Sequence, residues 1–467
     1  MADLAEVDWQ MVLGRWHTRL PGQGSHRENL AALIEAIANH PDRAIRLHPR
    51  SPAPVPFETH AVPWYADYGR VLVDSTIRPG AFLSYAAGDY YIQDAGSMLA
   101  AKLCDAEPGM TVWDCCASPG GKSTAVLEQL NGHGALVANE VIQSRVAQLQ
   151  LAVERAGFGN VLVTSAELDA VPGSFERAFD RVLLDAPCSG QSMLSKGKQS
   201  LASFSESQIS HSAARQRRLL EAAARSVGPG GRLVYSTCTF AELENESVIS
   251  AFLESNPGWN LYCDSDLAQW QHPELKGMYR IWPHTDPSHG AFAAALVRAD
   301  EPSEHDQVGI QEHGRRKKSD WRLSKCSASV LMLDGLTLDD SRIRERRYRT
   351  GADDLVDYHA FPDVPDDWIS MAVSGTLLAR EKRNRIEPQF GAAKLSGGTV
   401  AKNGIGEPIL LDAEQARLYV EGQAVRTSEN GDGWRVAKWG VRSLGWGKIT
   451  KGVLKNHFPK ALRQKAR

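Results

Sequence analysis

The sequence lacks long hydrophobic runs: no stretch of its 467 residues approaches the about 18 apolar residues that a membrane span requires. The first residues include Asp3 and Glu6 and show no basic stretch followed by an apolar one, so we expect no signal peptide. These absences exclude an integral membrane protein. We therefore expect a cytoplasmic protein without a membrane partner.

Paired cysteines are also missing. The seven cysteines are an odd number and contain no C-x-x-C pair, which argues against a disulfide framework and against a zinc ribbon. We accordingly predict no metal site. In a cytosolic protein, such thiols are catalytic or simply buried.

A strong overall charge is absent too, because the formal net charge is only -3. The distribution is uneven, however. From Arg435 to Arg467 there are ten Lys or Arg residues and no acid, and segments 314–325 and 342–349 carry six basic residues against one acid and five against one. Any single cluster can be a solvated surface. Their concentration in the last third of the chain suggests a phosphate backbone as partner.

Strands alternate with helices from about residue 100 to residue 298. Short apolar runs predict the strands, and amphipathic stretches predict the helices between them. The predicted strands are 111–116, 135–139, 160–165, 181–186, 232–238 and 291–298, and the predicted helices are 123–129, 144–157, 206–226 and 242–254. This alternation is typical of an α/β fold with a doubly wound, mostly parallel sheet, which binds ligands at the carboxyl ends of its strands.

The flanking regions differ in pattern. A helix is predicted at 28–38, short apolar runs with Pro and Gly fill 43–78, and the α/β alternation is lost after a polar stretch that follows residue 298. Strand-like pieces such as PILLD and GWRVAKW mark the Gly-rich end of the chain. We therefore predict five parts: an N-terminal α/β domain (1–100), a central domain (101–298), a linker (299–325), a first C-terminal subdomain (326–395) and a β-rich module (396–467).

A glycine loop follows the first strand of the central domain. In VWDCCASPGGKST (112–124), a strand leads through Gly120 and Gly121 into a helix, whose first N–H groups can approach a ligand closely. The GKS triplet also fits the end of a phosphate-binding P-loop. Against this, Cys116 stands where that motif needs its first glycine, and Pro119 lacks an amide hydrogen. An ordinary tight turn is the remaining alternative.

Acids and cysteines follow the neighbouring strands. Glu140, Glu167 and Asp185 each come after a predicted strand, where an acid can accept hydrogen bonds from ribose hydroxyls. Each acid alone is more often a helix cap or a solvated side chain. Cys188 in DAPCSG and Cys238 in YSTC also follow strands, although a lone cysteine is usually a small buried hydrophobe. Together these positions predict one crevice that holds an adenosine-containing ligand and two thiols.

Four segments, in the same order along the chain, resemble the motifs of the NOL1/NOP2/Sun family of RNA 5-methylcytosine methyltransferases. They are GDYYIQDAGSMLAA (88–101), DCCASPGGKST (114–124), LLDAPCSG (183–190) and YSTCT followed by ENE (244–246). Gly96 and Ser118 are small-for-small replacements of a serine and an alanine in the usual patterns. The resemblance covers roughly residues 40–298. It implies a Rossmann-like sheet that binds S-adenosylmethionine (SAM).

The end of the chain resembles a bacterial subgroup of that family, the RsmF group. RNRIEPQFGAAKL (383–395) and SLGWGKITKGVLKNHFPKALR (443–463) carry this looser likeness, and the usual His-Ala after Pro388 is replaced by the residues from Gln389 to Ala392. In that subgroup the tail is a PUA-like RNA-binding module. The likeness implies as partner the small-subunit (16S) ribosomal RNA, or the small ribosomal subunit itself, and no DNA. We expect a monomer.

The resemblance also assigns roles to residues. Carbon 5 of cytosine is a poor nucleophile, and a thiolate that adds to carbon 6 turns the ring into an enamine. The target base must leave its stack to reach the cleft. The implied catalytic residues are the nucleophile Cys238, Cys188 for product release, Asp185 at the cytosine edge or the cofactor, and Lys122 at the base or Asp185. The implied SAM site is Cys116, Ala117, Ser118, Pro119, Gly120, Gly121, Lys122, Glu140, Glu167 and Asp185.

Other functions compete with this one. A DNA cytosine methyltransferase would use Cys188 as its nucleophile and would leave Cys238 without a role. A non-catalytic ribosome-assembly factor would not need either cysteine, and a small-molecule SAM enzyme would not need a basic tail. A tRNA cytosine methyltransferase remains the main alternative to an enzyme for ribosomal RNA.

Overall fold

The computed structural model describes residues 4–39, 43–51, 54–299, 323–325, 331–333, 336–338, 343–350, 353–383, 385–395, 407–429 and 431–463. Most of the predicted linker therefore lies outside the described residues. None of the helices in these ranges is long and apolar enough to cross a bilayer. The predicted division into five parts remains a prediction.

The N-terminal region contains helices and a small antiparallel sheet. A capping box of Ser25 and Glu28 starts the predicted helix at His26. The sheet has the order β2-β3-β1-β4, and its last strand leads into the central domain. The elements are α1 (Trp9–Leu13), α2 (His26–Ala38), β1 (Ala44–Leu47), β2 (Thr59–Ala61), β3 (Gly69–Leu72), α3 (Leu83–Ala87), β4 (Tyr90–Ile92) and α4 (Met98–Cys104).

The central domain is built on one large sheet in the order β10-β12-β9-β8-β5-β6-β7-β18, with β11 beside β12. Strands β5 to β9 are parallel, and the strands outside them pair antiparallel. Its elements are β5 (Thr111–Asp114), α5 (Gly121–Leu130), β6 (Ala135–Asn139), α6 (Gln143–Ala156), β7 (Val161–Thr164), β8 (Phe179–Asp185), α7 (Glu206–Ala224), β9 (Val227–Thr237), α8 (Glu246–Ser255), β10 (Trp259–Leu261), β11 (Met278–Ile281), β12 (Ala291–Arg298) and β18 (Ala372–Ser374).

The sheet carries a hydrophobic core on each face. Successive residues of a strand point to opposite faces, so Val112 packs in the core with α4, α5 and α6, whereas Trp113 packs with α7 and α8. Both faces are covered, which explains the uninterrupted apolar runs of β6 and β7. The chain order reverses between β5 and β8. Ligands of doubly wound sheets bind at this point, outside the carboxyl ends of the strands.

Two features of the sheet differ from expectation. Strand β9 begins at Val227, five residues before the predicted start at residue 232, and includes Gly228 to Gly231. Strand β18 comes from the C-terminal half of the chain and pairs with β7. Trp368, just before β18, packs its ring 4.8 Å from that of Phe179 in the second core. One strand of the C-terminal half therefore extends the central sheet at its β7 edge.

Besides a two-stranded sheet, the remaining described residues form two further five-stranded sheets. The first has the order β13-β16-β17-β19-β20, and the second, in the C-terminal module (residues 407–463), has the order β21-β23-β24-β25-β22. The core of the module includes Leu83 and Ala86 of α3. The predicted fold class, an α/β sheet with an N-terminal α/β region and a β-rich end, is confirmed. The elements are β13 (Leu323–Lys325), β14 (Leu331–Leu333), β15 (Leu336–Leu338), β16 (Ile343–Thr350), β17 (Asp353–Ala360), α9 (Asp366–Met371), β19 (Thr376–Lys382), β20 (Arg385–Pro388), α10 (Phe390–Leu395), β21 (Ile409–Leu410), α11 (Ala413–Val420), β22 (Val425–Arg426), β23 (Gly433–Trp439), β24 (Arg442–Thr450) and β25 (Val453–Asn456).

Candidate active site

A cavity of about 430 Å³ lies at the carboxyl ends of β5, β8 and β9. Segment 91–97 after the N-terminal sheet, the loop after β5, the loop after β8 and segment 289–292 form its walls. We call it the central cavity. Of the residues predicted for the site, those that line it are Cys116, Ala117, Ser118, Pro119, Gly121, Lys122, Asp185 and Cys238.

The glycine loop connects β5 to α5 and wraps the cavity. Gly120 does not line the cavity but packs against α6, where a Cβ atom would come within 2.6 Å of Ala152 and the backbone has φ +107°. Only glycine fits both constraints without strain. The Ser123 hydroxyl at the start of α5 donates to Asp114 Oδ2 over 2.6 Å. The loop is therefore held from both sides, with its remaining residues turned to the cavity.

The two predicted cysteines are in contact, with 3.4 Å between Cys188 Sγ and Cys238 Sγ. Both are partly exposed, but only Cys238 lines the central cavity. The backbone N–H of Ser192, in the loop after Cys188, donates to the Cys238 carbonyl over 3.1 Å. This bond ties the loop after β8 to the end of β9 and fixes the pair. The Cys238 sulfur is therefore open to a substrate in the cavity, whereas the Cys188 sulfur contacts Cys238 from outside the cavity wall.

The surroundings make the two thiols chemically different. A hydrogen bond from the Cys188 thiol lowers the pKa of Cys238, and the Lys122 cation acts in the same direction against burial and the Asp185 charge. The same hydrogen bond, together with burial, raises the pKa of Cys188 well above its ordinary value. The thiolate is the nucleophilic form of cysteine. Cys238 is thus suited to attack, and Cys188 to remain a proton donor.

Lys122 and Asp185 form an ion pair beside the thiols, with Nζ and Oδ2 separated by 2.8 Å. Asp185 also accepts a hydrogen bond from the Ser236 hydroxyl over 2.8 Å and keeps a third of its side chain exposed. Below it lies Asp114, fully buried, whose pKa burial and the Asp185 charge raise to about 7. The pair therefore holds a carboxylate in place at the cavity with part of its surface free for a ligand.

Two predicted acids lie outside the cavity wall. Glu140 is buried at the end of β6, accepts the Ile142 N–H over 2.9 Å and pairs with Arg145 at 3.3 Å. Arg145 lines the cavity, so Glu140 contributes through it. Glu167 is exposed after β7 and does not line the cavity. The cofactor-binding role of both acids stays a prediction.

Family-level comparisons agree with this geometry. Residues 101–297 match the family described as 16S rRNA methyltransferase RsmB/F, and residues 408–464 match the methyltransferase RsmF PUA domain. The ribosomal RNA small subunit methyltransferase F of Shewanella loihica is 30% identical over 420 residues, which cover 86% of this chain and 83% of that protein. The chain belongs to the ribosomal RNA small subunit methyltransferase F family.

A second relative from the methyltransferase F family and a solved structure are also similar to this chain. The protein of the same name from Aeromonas salmonicida is 29% identical over 431 residues, 88% of this chain and 86% of that protein. A crystal structure of a methyltransferase homolog from Pyrococcus horikoshii superposes with a TM-score of 0.50 and 26% identity, over 58% of this chain and 91% of that chain. The family resemblance and SAM as the cofactor are therefore confirmed.

The central cavity fits SAM in this family member. The loop from Cys116 to Lys122 places small residues along one wall. Gln93 lies beside Gly121 of this loop, is buried, and keeps its Nε2 without a hydrogen-bond partner among the described residues. A buried amide donor of this kind awaits an acceptor, and SAM carries a carboxylate. Arg46 holds Gln93 from behind by donating to its Oε1, and it also donates to Thr124 Oγ1.

The ENE triplet of this methyltransferase F chain is a buried scaffold for the cysteine loops. Glu244 accepts the N–H of Ser189, next to Cys188, over 2.9 Å. Asn245 accepts the Thr237 hydroxyl next to Cys238 over 2.6 Å. Glu246 forms a buried ion pair with Arg280 at 2.6 Å. The triplet was predicted by resemblance only, and the structure shows that Glu244 and Asn245 hold the two cysteine-bearing segments.

Several cavity residues were not predicted as site residues. His289 Nδ1 shares a hydrogen bond of 3.1 Å with the Ser195 hydroxyl. The backbone N–H of His289 donates to Asp94 Oδ2 over 3.0 Å. Arg145 and Lys196 also line the cavity. Asp94 lies within the first motif-like segment and Lys196 follows DAPCSG, so both were within reach of the resemblance. His289 stands in a loop before the last predicted strand, which carried no signal.

Proposed function

We propose that this chain methylates carbon 5 of cytosine in small-subunit ribosomal RNA through a covalent bond to Cys238. The observation that carries the proposal is the contact of two cysteines with opposite pKa shifts at one cavity, next to the Lys122–Asp185 pair. A plain SAM enzyme for a nucleophilic substrate needs no thiol pair. Methylation of cytosine carbon 5 does need a nucleophilic thiol, because this carbon must first be made nucleophilic.

The first step is addition of the Cys238 thiolate to carbon 6 of a flipped-out cytosine. The new S–C6 bond pushes the ring π electrons toward carbon 5, which becomes an enamine carbon. Lys122 favours the thiolate by its charge. Asp185 has a free carboxylate surface in the same cavity, and a carboxylate accepts well from the amino group of cytosine. This contact would select cytosine over uracil, which carries an oxygen at that position.

The second step uses the cofactor. The loop from Cys116 to Lys122 would hold SAM, which would supply carbon 5 with an electrophilic methyl group as its methyl–sulfur bond breaks and S-adenosylhomocysteine leaves. Carbon 5 then loses its hydrogen as a proton to a base, the C5=C6 double bond reforms, and the S–C6 bond breaks. The Cys188 thiol, 3.4 Å from Cys238 Sγ, donates its hydrogen bond to the leaving thiolate. Cys188 thus assists release rather than attack.

The RNA class is supported from outside the cavity. The relatives named ribosomal RNA small subunit methyltransferase F align over most of this chain. The module that matches the RsmF PUA domain carries the acid-free basic stretch. Cys238 lines the cavity and contacts Cys188, an arrangement that a non-catalytic assembly factor would not need. A transfer RNA substrate would have to be read by the same module.

Bisulfite sequencing of ribosomal RNA from a strain that lacks this gene tests the proposal. We expect at least one small-subunit cytosine to lose its methyl group. A plasmid copy should restore the methyl group, Cys238→Ala should not, and Cys263→Ala, at an exposed cysteine away from the cavity, should. Unchanged small-subunit RNA together with a methyl group lost from transfer RNA would refute the ribosomal substrate but keep the chemistry.

A further inference from the structure

A second cavity, of about 150 Å³, lies where four parts of the chain meet. Its walls come from the N-terminal region around Asp89, the end of α6 at Arg155, helix α10 at Lys394, and the hairpin of the C-terminal module at Arg442 and Ser443. We call it the junction cavity. It opens to solvent beside Val441, which is 73% exposed in the hairpin turn. No part of the chemistry above uses it.

The junction cavity has an excess of positive charge. Among the described residues that form its walls, Arg50, Arg155, Lys394 and Arg442 face a single acid, Asp89. Asp89 is already engaged, because its Oδ2 lies 2.7 Å from Arg442 Nε. Arg155 and Lys394 therefore have no carboxylate of their own within this part of the chain. Buried charge without a counter-charge is costly, so the site is incomplete as it stands.

Polar atoms in the walls also lack partners. Arg155 is buried, and its Nε has no hydrogen-bond partner among the described residues; the same is true of Ser443 Oγ. The Lys394 ammonium donates to Ala87 O over 2.8 Å and to Ser443 O, which leaves one of its three hydrogens. Burial and the neighbouring Arg155 lower the pKa of Lys394 to about 7. Arg155 Nη2 already donates to the Tyr85 and Tyr90 carbonyls. The groups left for an anion are therefore Arg155 Nε, Ser443 Oγ and the third hydrogen of Lys394.

We propose that the junction cavity binds a phosphate group, and that the backbone of the RNA substrate supplies it. A phosphate offers several acceptor oxygens to Arg155 Nε, Ser443 Oγ and Lys394 Nζ. The RNA source rests on the proposed function. Helix α6 connects the two cavities: Arg145 lines the central cavity, and Arg155 lies ten residues, or about 15 Å, further along the same helix. A strand of RNA that crosses α6 would reach both.

The phosphate part is tested without RNA. Ser443→Asp places a carboxylate among the cations, where it should replace the anion, and Ser443→Asn has the same size without the charge. Inorganic phosphate, exchanged for chloride at constant ionic strength, should raise the thermal unfolding midpoint of the full-length wild type and of Ser443→Asn by about 2 °C or more. Ser443→Asp should unfold at a higher temperature than Ser443→Asn without phosphate and show no further rise.

A matched control is Ser428→Asp, which puts the same charge on an exposed position of the module away from the cavity. It should respond to phosphate as the wild type does. A wild type that does not respond, a response that survives in Ser443→Asp, or a Ser443→Asp protein less stable than Ser443→Asn would each overturn the proposal. Because no RNA is present, these outcomes do not depend on the proposed function.

The RNA part is tested by filter binding of a small-subunit ribosomal RNA transcript at several salt concentrations. Loss of one phosphate contact should lower the slope of log affinity against log salt by about 0.7 in Ser443→Asp relative to Ser428→Asp. SAM affinity should be equal in both, because the central cavity is untouched. Equal slopes, with the inorganic phosphate response present as expected, would show that the cavity takes free phosphate and would overturn the RNA source.

Discussion

Several cations at and around the central cavity are paired with acids, whereas several exposed lysines of the C-terminal module are not. At and around the central cavity, Lys122 is paired with Asp185, Arg145 with Glu140 and Arg280 with Glu246. In the module, the exposed Lys451, Lys455 and Lys460 have no ion pair with an acid among the described residues. Paired charges hold side chains in a defined geometry, whereas unpaired cations attract a polyanion. The first arrangement serves chemistry and the second serves affinity.

The division is not absolute, because two basic residues of the module have structural contacts. Arg442 pairs with Asp89 of the N-terminal region, and the Arg463 side chain donates to the Phe458 carbonyl. The module also shares its core with Leu83 and Ala86. Truncation near residue 396 would therefore expose apolar surface as well as remove charge. Single substitutions separate the two effects better.

Among the substitutions considered, Cys238→Ala should have the largest effect on the rate of methyl transfer. We expect the rate of methyl transfer to fall by more than about 10³-fold, because the proposed nucleophile, the member of the cysteine pair that lines the cavity, is removed. SAM and RNA affinity should stay within about twofold. Tritium transfer from labelled SAM and equilibrium dialysis measure the two quantities, with Cys263→Ala as the control. Retained turnover would contradict the assignment of the nucleophile.

Cys188→Ala tests whether Cys188 assists release of the product while Cys238 attacks the cytosine. Without the Cys188 thiol in contact with Cys238, we expect elimination to slow and a covalent protein–RNA adduct to accumulate. The adduct is measured as a heat-stable shifted band on a denaturing gel. The double variant Cys188→Ala/Cys238→Ala should show no such band. An adduct that forms instead with Cys238→Ala alone would reverse the two roles.

A smaller effect concerns the buried Asp114 below the ion pair. Its pKa of about 7 lies above the value of about 4 in an unfolded chain, so the folded state binds the proton more tightly. Stability from this proton is fully present below about pH 4 and is lost as the pH rises to about 7. Asp114→Asn should remove this fall, which amounts to about a few kcal/mol at most. Urea unfolding between pH 4 and 7 measures it.

Glu154 provides the comparison for that experiment. Burial in α6 also raises its pKa to about 7, but it does not line the central cavity. Glu154→Gln should flatten the same pH dependence and leave methyl transfer unchanged. Asp114→Asn should additionally change the pH profile of methyl transfer, because its charge acts on Lys122. Identical activity profiles of both variants would mean that Asp114 is only structural.

The smallest effect should come from the module. Lys451→Gln combined with Lys455→Gln should lower the log–log salt slope of RNA binding by about 1.4, or about 0.7 for each lost phosphate contact. The rate at saturating RNA should not change. Lys276→Gln, at an exposed lysine of the central domain, is the control and should leave the slope unchanged. An unaltered slope in the double variant would contradict the proposal that these lysines of the module bind RNA phosphates.

The sequence predicted best what depends on local pattern. Strands with continuous apolar runs, such as β6 and β12, have the predicted bounds, and the strand-end positions of Cys188 and Cys238 brought their sulfur atoms into contact. The sequence was a poorer guide to features that depend on where a side chain points. Glu140 stands at the expected strand end, but its carboxylate is taken by Ile142 and Arg145. No spacing in the chain reveals that a neighbouring arginine lies between an acid and a cavity.

Contacts between distant segments were beyond sequence reasoning altogether. Nothing in Leu83 or Ala86 indicates that they complete a core more than three hundred residues away. The three residues of β18 are too short for a periodic signal, and they join the central sheet only because β7 offers a free edge there. Such pairings are decided by which surfaces remain uncovered after the local elements have formed.

Strand β18 has a consequence for how the chain is made. The edge of β7 ends at Thr164, and its partner begins at Ala372, about 200 residues later. At a synthesis rate of about 5–20 residues per second, that edge stays open for roughly 10–40 s during translation. An open strand edge is a template for wrong pairing with other chains. The edge is only four residues long, which limits this hazard until the chain closes its own sheet.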